Sequence, residues 1–148
     1  MLPDPEFKNE ENTNWYVYVF IRKDIPLEHQ ITQACHAALE IGYDHSRPET
    51  PTYLITIAVE NELKLRKVET KLSRLNIKSH MFWEPDPIRY GIDDFIPQNS
   101  DQESPMGYTS LATEPLSGSI RQELSDFMLW TAQPDEFIGR KSKNIGNR

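Results

Sequence analysis

His29, Gln33, His36 and Glu40 stand at steps of four, three and four, and at about 100° per residue they fall within roughly a 60° arc of one helix. Alone, this polar row reads as a solvated helix face. Beside a site, Gln33 and His36 would be hydrogen-bond partners that orient the site or brace a sheet. A second set, Lys64, Lys67, Lys71, Arg74 and Lys78, also recurs at helical spacing. With Arg66, and against Glu62 and Glu69, it makes a local net charge of +4. It reads as a phosphate track or as the outer face of an amphipathic helix. Between Glu84 and Glu103 the sign reverses, since Glu84, Asp86, Asp93, Asp94, Asp101 and Glu103 face only Arg89, a net of -5. Such a segment would repel a phosphate backbone, mimic one, or hold a basic protein partner through its interleaved Ile88, Tyr90, Ile92, Phe95 and Ile96. His29, His36, His45, His80 and Cys35 show neither an HExxH pattern nor paired cysteines, so no metal site is expected.

The elements that must position these residues follow from length and patterning. A chain of 148 residues suits one domain with one sizeable core. Its formal charge of -7 argues against coating nucleic acid or an anionic membrane with the whole surface. The apolar runs WYVYVFI and YLITIAV fall short of a membrane span, and MLPDPEFKNEENTN has no leader pattern, which predicts a cytoplasmic protein with no membrane partner. The single Cys35 excludes an internal disulfide and reads as a small residue beside a packed helix face.

Trp15 to Ile21 is a continuous β-branched and aromatic run, expected as a central strand covered on both faces. Asp24 and Pro26 break it, and a helix follows over Leu27 to Tyr43. Its core stripe is predicted to be Leu27, Ile31, Ala34, Ala38 and Ile41, and Gly42 helps to end it. Tyr53 to Val59 reads as a second buried strand. Glu60 or Asn61 then opens a second helix that buries Leu65, Val68, Leu72 and Leu75. Lys78 to Trp83 is a third strand, stopped by Glu84, Pro85 and Asp86. The Pro-, Asp- and Ser-rich stretch 87–105 is an inserted acidic loop. Tyr108 to Thr113 is a fourth strand, and Ser117 or Ser119 caps a last helix carrying Ile120, Leu124, Phe127 and Met128. The expected organisation is a flexible arm over 1–14, one α/β domain over 15–132 and a flexible tail over 133–148. This order argues for helices on both faces of a four-stranded sheet, a three-layer α/β/α arrangement. The sequence leaves a homodimer open: an exposed WYVYVFI strand would promote edge pairing, but this strand is expected inside the sheet.

The block IRKDIPLEHQITQACHAALE, then a strand, a helix, FWEPD, and GYTSLATEP before a last helix, resembles the type 2 peptidyl-tRNA hydrolases, especially shorter bacterial and phage-type members. The similarity covers most of Trp15 to Trp130. It is carried by Gln33, His36 and Ala37 after Arg22 and Asp24, by Glu84 to Asp86, and by the strand with Thr109. The resemblance implies a four-stranded mixed sheet between helices and cofactor-free hydrolysis of the ester joining a peptide to the 3′ adenosine of tRNA. It implies an aspartate position at Asp86 and a threonine position at Thr109. The family's lysine position holds His29, or Gln30 if the register moves by one, and the glycine before it is Glu28.

On that resemblance, His29 would act as general base oriented by Asp86, and Thr109 would hold the attacking water. Amides of the first helical turn would receive the oxyanion. Asp24, Gln30, Gln33 and His36 would support the site, and the basic second helix would bind the tRNA body. The alternative is a catalytically inactive descendant of the fold that binds a protein through the acidic insertion, or tRNA through the basic helix.

Overall fold

The computed structural model describes residues 14–88 and 104–132. The expected arm before residue 14, most of the acidic insertion (89–103) and the expected tail (133–148) lie outside the described residues. So does the protein-partner expectation attached to that insertion.

The aromatic and β-branched runs form the expected strands, β1 (Trp15–Arg22), β2 (Thr52–Val59), β3 (Ser79–Glu84) and β4 (Gly107–Thr113). Between them lie α1 (Leu27–Asp44) and α2 (Glu62–Arg74), and a 3₁₀ helix spans Gly118–Leu124. The sheet order is β2-β1-β4-β3. β1 runs parallel to β2, while β4 is antiparallel to both β1 and β3. The carboxyl ends of β1, β2 and β3 therefore share one sheet edge with the start of β4. The first turns of α1 and α2 follow from that same edge.

β1 shows why this is a three-layer arrangement. Its side chains alternate, with Val17, Val19 and Ile21 joining Ala37, Ile41 and Ala112 under α1. Tyr18 and Phe20 join Leu65, Val68 and Leu72 of α2 and Leu124 of the 3₁₀ helix. Period-two alternation with both faces apolar is what a strand buried on both sides requires.

α2 begins where Asn61 accepts a hydrogen bond from the Lys64 amide at 3.0 Å, the usual service of an asparagine N-cap. It ends where Asn76 takes φ 60°. The amide of Asn76 then donates to Ser73 and that of Ile77 to Leu72, a Schellman ending.

Four expectations are corrected. β2 is not buried throughout: it is an outer strand, and its first half, including Tyr53 and Leu54, is exposed. Residues 56–58 meet a strap from the C-terminal region, through the Ile57–Leu129 bridge and hydrogen bonds from Ala58 to Met128 and from Trp130 to Thr56. α1 does not bury Leu27 and Ile31, which are 41% and 55% exposed; it buries Gln30, Gln33, Ala37 and Ile41. The inward face is turned this way because Gln33 has buried polar partners across the sheet and the alanines allow close approach. Ile31 instead lines an apolar groove of about 250 Å³ with Cys35, Leu54 and Trp130, and Cys35 is exposed. Gly42 lies within α1, which runs to Asp44, and His45 Nδ1 lies 3.1 Å from the Ile41 carbonyl. The last helix is a 3₁₀ segment that stops at Leu124, so Phe127 and Met128 lie beyond it.

Candidate functional site

The shared sheet edge is assembled around Gln33. Its carboxamide Nε2 donates to Glu84 Oε1 at 2.8 Å, and its Oε1 accepts from the Thr109 hydroxyl at 2.7 Å. Its backbone carbonyl accepts from Ser110 Oγ at 2.6 Å. Gln33 is 2% exposed, and Thr109 and Ser110 are fully buried. A buried glutamine must be satisfied to be tolerated, and here both ends of its carboxamide are.

Thr109 and Ser110 reach the same residue because of a register shift. Phe82 pairs with Ser110 but Trp83 pairs with Tyr108, so Thr109 is an extra residue on β4. A bulge of this kind re-aims a side chain that strict alternation would send to the other face. On the other side of the junction, Glu84 Oε2 accepts from the Asp86 amide at 3.3 Å. Pro85, lacking an N–H, ends the strand between them. The Asp86 carbonyl accepts from the Met106 amide at 2.8 Å, which brings the two ends of the insertion together beside the site.

Arg22 closes the β1 side. Its Nε and Nη2 grip Asp24 at 2.8 and 3.0 Å, and its Nη1 donates to the Met106 and Tyr108 carbonyls at 2.8 and 3.0 Å. A planar guanidinium suits this bidentate grip with carbonyl contacts beside it. Asp24 thus holds Arg22, and Arg22 holds the start of β4.

Gln30 turns away from this junction. Its Nε2 donates to the Ile25 carbonyl and its Oε1 accepts from Trp130 Nε1, both at 2.7 Å. Of the two positions the resemblance leaves open, Gln30 is therefore buried and engaged at both ends, while His29 is half-buried at the start of α1. Lys23 also reaches the strap, donating to the Thr131 carbonyl with its Nζ 5.0 Å from the centre of the Trp130 ring. Partial burial lowers its pKa from the usual 10.5. His36 stacks on Phe82 with centroids 4.4 Å apart and planes 1° from parallel, so it braces α1 against β3.

The structure thus brings Gln33 and Thr109 to one hydrogen-bonded junction with Glu84, and places Asp86 two residues beyond Glu84. Thr109 offers its hydroxyl to Gln33 rather than to the surface. Asp86 is exposed, and α1 starts at Pro26 without a side-chain cap.

The five basic residues border two grooves. Lys64, Lys67 and Lys71 border a groove of about 510 Å³ next to Phe127 and Met128. Lys71 is partly spent there, donating to the Glu123 carbonyl at 2.8 Å and lying 5.1 Å from the centre of the Phe127 ring. Arg74 and Lys78 border a different groove of about 840 Å³ with Asp44 and His45.

Glu84 and Arg22 were visible only inside the E-P-D and R-x-D patterns. Asp24 and the Asp86 amide lie two residues from them, but their other partners, Gln33 and the Met106 and Tyr108 carbonyls, are distant in the chain and nothing local in the sequence marks them. Among the described residues, no group of three or more His, Cys, Asp or Glu is placed to hold a metal ion. No helix among them is long and apolar enough to cross a membrane. Comparison with protein-family models and with curated proteins finds no match for the chain.

Proposed function

We propose that this protein is a cofactor-free ester hydrolase of the peptidyl-tRNA type, working at the carboxyl edge of the sheet. The observation that carries the reading is the Gln33 junction. One buried side chain ties α1, the end of β3 and the bulged Thr109 of β4, three of the segments that carry the resemblance. The mixed sheet between helical layers supports it as well.

An aminoacyl ester is already activated, so the site must position a water, accept its proton and stabilise an oxyanion. His29 takes the proton as the water oxygen attacks the ester carbonyl, with Asp86 orienting the imidazole. The oxyanion is received by amides of the first turn of α1, the one end of that helix with N–H groups to spare. Collapse of the tetrahedral intermediate breaks the bond to the ribose oxygen, which recovers the proton from His29. Thr109 is a positioning residue in this scheme. It fixes Gln33, which fixes Glu84, and Glu84 in turn holds the Asp86 peptide.

A second reading, tRNA binding without cleavage, draws on the lysines of α2 and on the histidine at the family's lysine position. Both readings are tested by release of free tRNA from a labelled N-blocked aminoacyl-tRNA. Loss of a general base costs on the order of 100- to 10,000-fold. Turnover that falls by this much in both His29→Ala and Asp86→Asn supports the hydrolase. Turnover unchanged in both overturns this assignment of residues. Binding without turnover by folded wild-type protein selects the second reading.

A further inference from the structure

Arg121 of the 3₁₀ helix lies against β1 instead of in an ion pair. Its guanidinium carbon is 3.5 Å from the centre of the Tyr16 ring and 6.0 Å from that of Tyr18. Its Nε donates to the Tyr18 hydroxyl at 2.8 Å. Stacking takes up the face of a guanidinium and leaves its N–H edge for hydrogen bonds. With Nε engaged, Nη1 and Nη2 remain, and among the described residues neither meets a carboxylate or another acceptor. Tyr18 is 4% exposed. Its hydroxyl oxygen serves Arg121, but among the described residues nothing accepts its O–H, and a buried donor without an acceptor is costly. Tyr18 and Arg121 both line a groove of about 870 Å³ beside β2 and the 3₁₀ helix. Ile55, Ile57, Leu124 and Leu129 line it as well. Among the described residues that line it there is no Asp or Glu, although the chain carries a formal charge of -7.

We propose that this groove binds a small carboxylic acid with an apolar body. The carboxylate accepts from Nη1 and Nη2 of Arg121 and from the Tyr18 hydroxyl, and the body lies along Ile55, Ile57, Leu124 and Leu129. The two outer N–H groups of a guanidinium match the two oxygens of a carboxylate. A single cation among apolar side chains suits a monoanion, whereas a phosphate would bring a second charge and further oxygens to be satisfied. The volume is that of a small-molecule site, and mostly apolar walls with a few convergent donors are the usual composition of one. The site is separate from the Gln33 junction. Tyr16 and Tyr18 stand in the first half of β1 and pack toward α2 and the 3₁₀ helix, while Gln33 lies in α1 on the other face of the sheet. The inference therefore does not rest on the hydrolase reading.

The test is calorimetric titration of the full chain at neutral pH with octanoate, beside 1-octanol, which has the body without the charge, and inorganic phosphate, which has charge without the body. Wild-type protein is expected to bind octanoate more tightly than either, by about 10- to 150-fold over octanol, the value of hydrogen bonds to a charged group. Arg121→Gln should abolish that preference and leave octanol binding unchanged. Tyr18→Phe, which keeps the ring, should weaken octanoate by about 10-fold. In amide spectra the shifts caused by octanoate should gather at Ile57, Gly118 and Ser119. Should Arg121→Gln fail to fold, the Tyr18→Phe loss and the position of those shifts decide. Equal affinity for octanoate and octanol, phosphate binding as tight as octanoate, octanoate binding untouched by either variant, shifts centred elsewhere, or no saturable binding by folded wild-type protein overturns the site. A short apolar peptide that binds far more tightly than octanoate through its free C-terminus overturns the small acid as its occupant.

Discussion

Between the sheet and the layer of α2 and the 3₁₀ helix, eleven buried apolar residues cluster among the described residues, including Phe20, Leu65, Leu72, Leu111 and Leu124. Under α1 the described apolar cluster is six residues, two of them alanines. The space there is shared with Gln30, Gln33, Thr109 and Ser110, all buried and polar. The difference teaches a division of labour. Close-packed aliphatic and aromatic side chains supply dispersion and hydrophobic stabilisation without fixing any one polar atom. A satisfied buried polar network contributes less net stability but fixes geometry, since each member costs free energy if misplaced. The proposed site uses the second kind of face.

That contrast can be broken by substitution. The largest effect should come from Leu72→Ala, which leaves a cavity in the α2 face and is expected to cost about 2–5 kcal/mol by urea denaturation. If Ile41→Ala under α1 costs as much, the asymmetry between the faces is wrong. Next comes Gln33→Leu, which strands the Thr109 hydroxyl and the Glu84 carboxylate and should cost about 1–3 kcal/mol. A double-mutant cycle with Thr109→Val sharpens the point. Two residues in one network should couple by about 0.5–3 kcal/mol, and additive losses would mean that the hydrogen bond between them contributes nothing. Ile31→Ser, at an exposed position that the sequence marks as core, should change stability by no more than about 0.5 kcal/mol. A loss of several times that would show the stripe to be covered in solution.

The smallest effect is one of pH. Burial lowers the pKa of Lys23 below its usual 10.5, so the unfolded chain binds more protons in the interval up to that value. The contribution of Lys23 to stability should therefore rise as pH climbs through its folded pKa toward 10.5. Lys23→Met should flatten this alkaline arm in pH-dependent denaturation. An unchanged slope would mean that Lys23 is no more desolvated in the folded protein than in the unfolded one.

Much of this was legible in the residues. Trp15 to Ile21 reads as a strand buried on both sides and is one. Leu65, Val68 and Leu72 mark the inward face of α2 correctly, and Asn61 caps it. Gln33 reads as a hydrogen-bond partner that orients a site or braces the sheet, and in the structure it bonds to Glu84 of β3 and Thr109 of β4. Leu27 and Ile31 misled because apolar spacing records which residues can share a face without recording whether anything covers it. On the resemblance Thr109 holds a water, and in the structure its fully buried hydroxyl donates to Gln33.

By itself the sequence determined the kind and order of the elements, because hydrophobic periodicity, helix caps and proline stops act over a few residues. Tertiary structure alone decided that β2 is an outer strand, that α1 turns its glutamines inward, and that a bulge aims Thr109 at Gln33. The partners of Gln33 lie 51 and 76 residues away in the chain. A polar side chain in a helix looks solvated until the strands that satisfy it arrive, and that arrival depends on non-local pairing that no local pattern encodes.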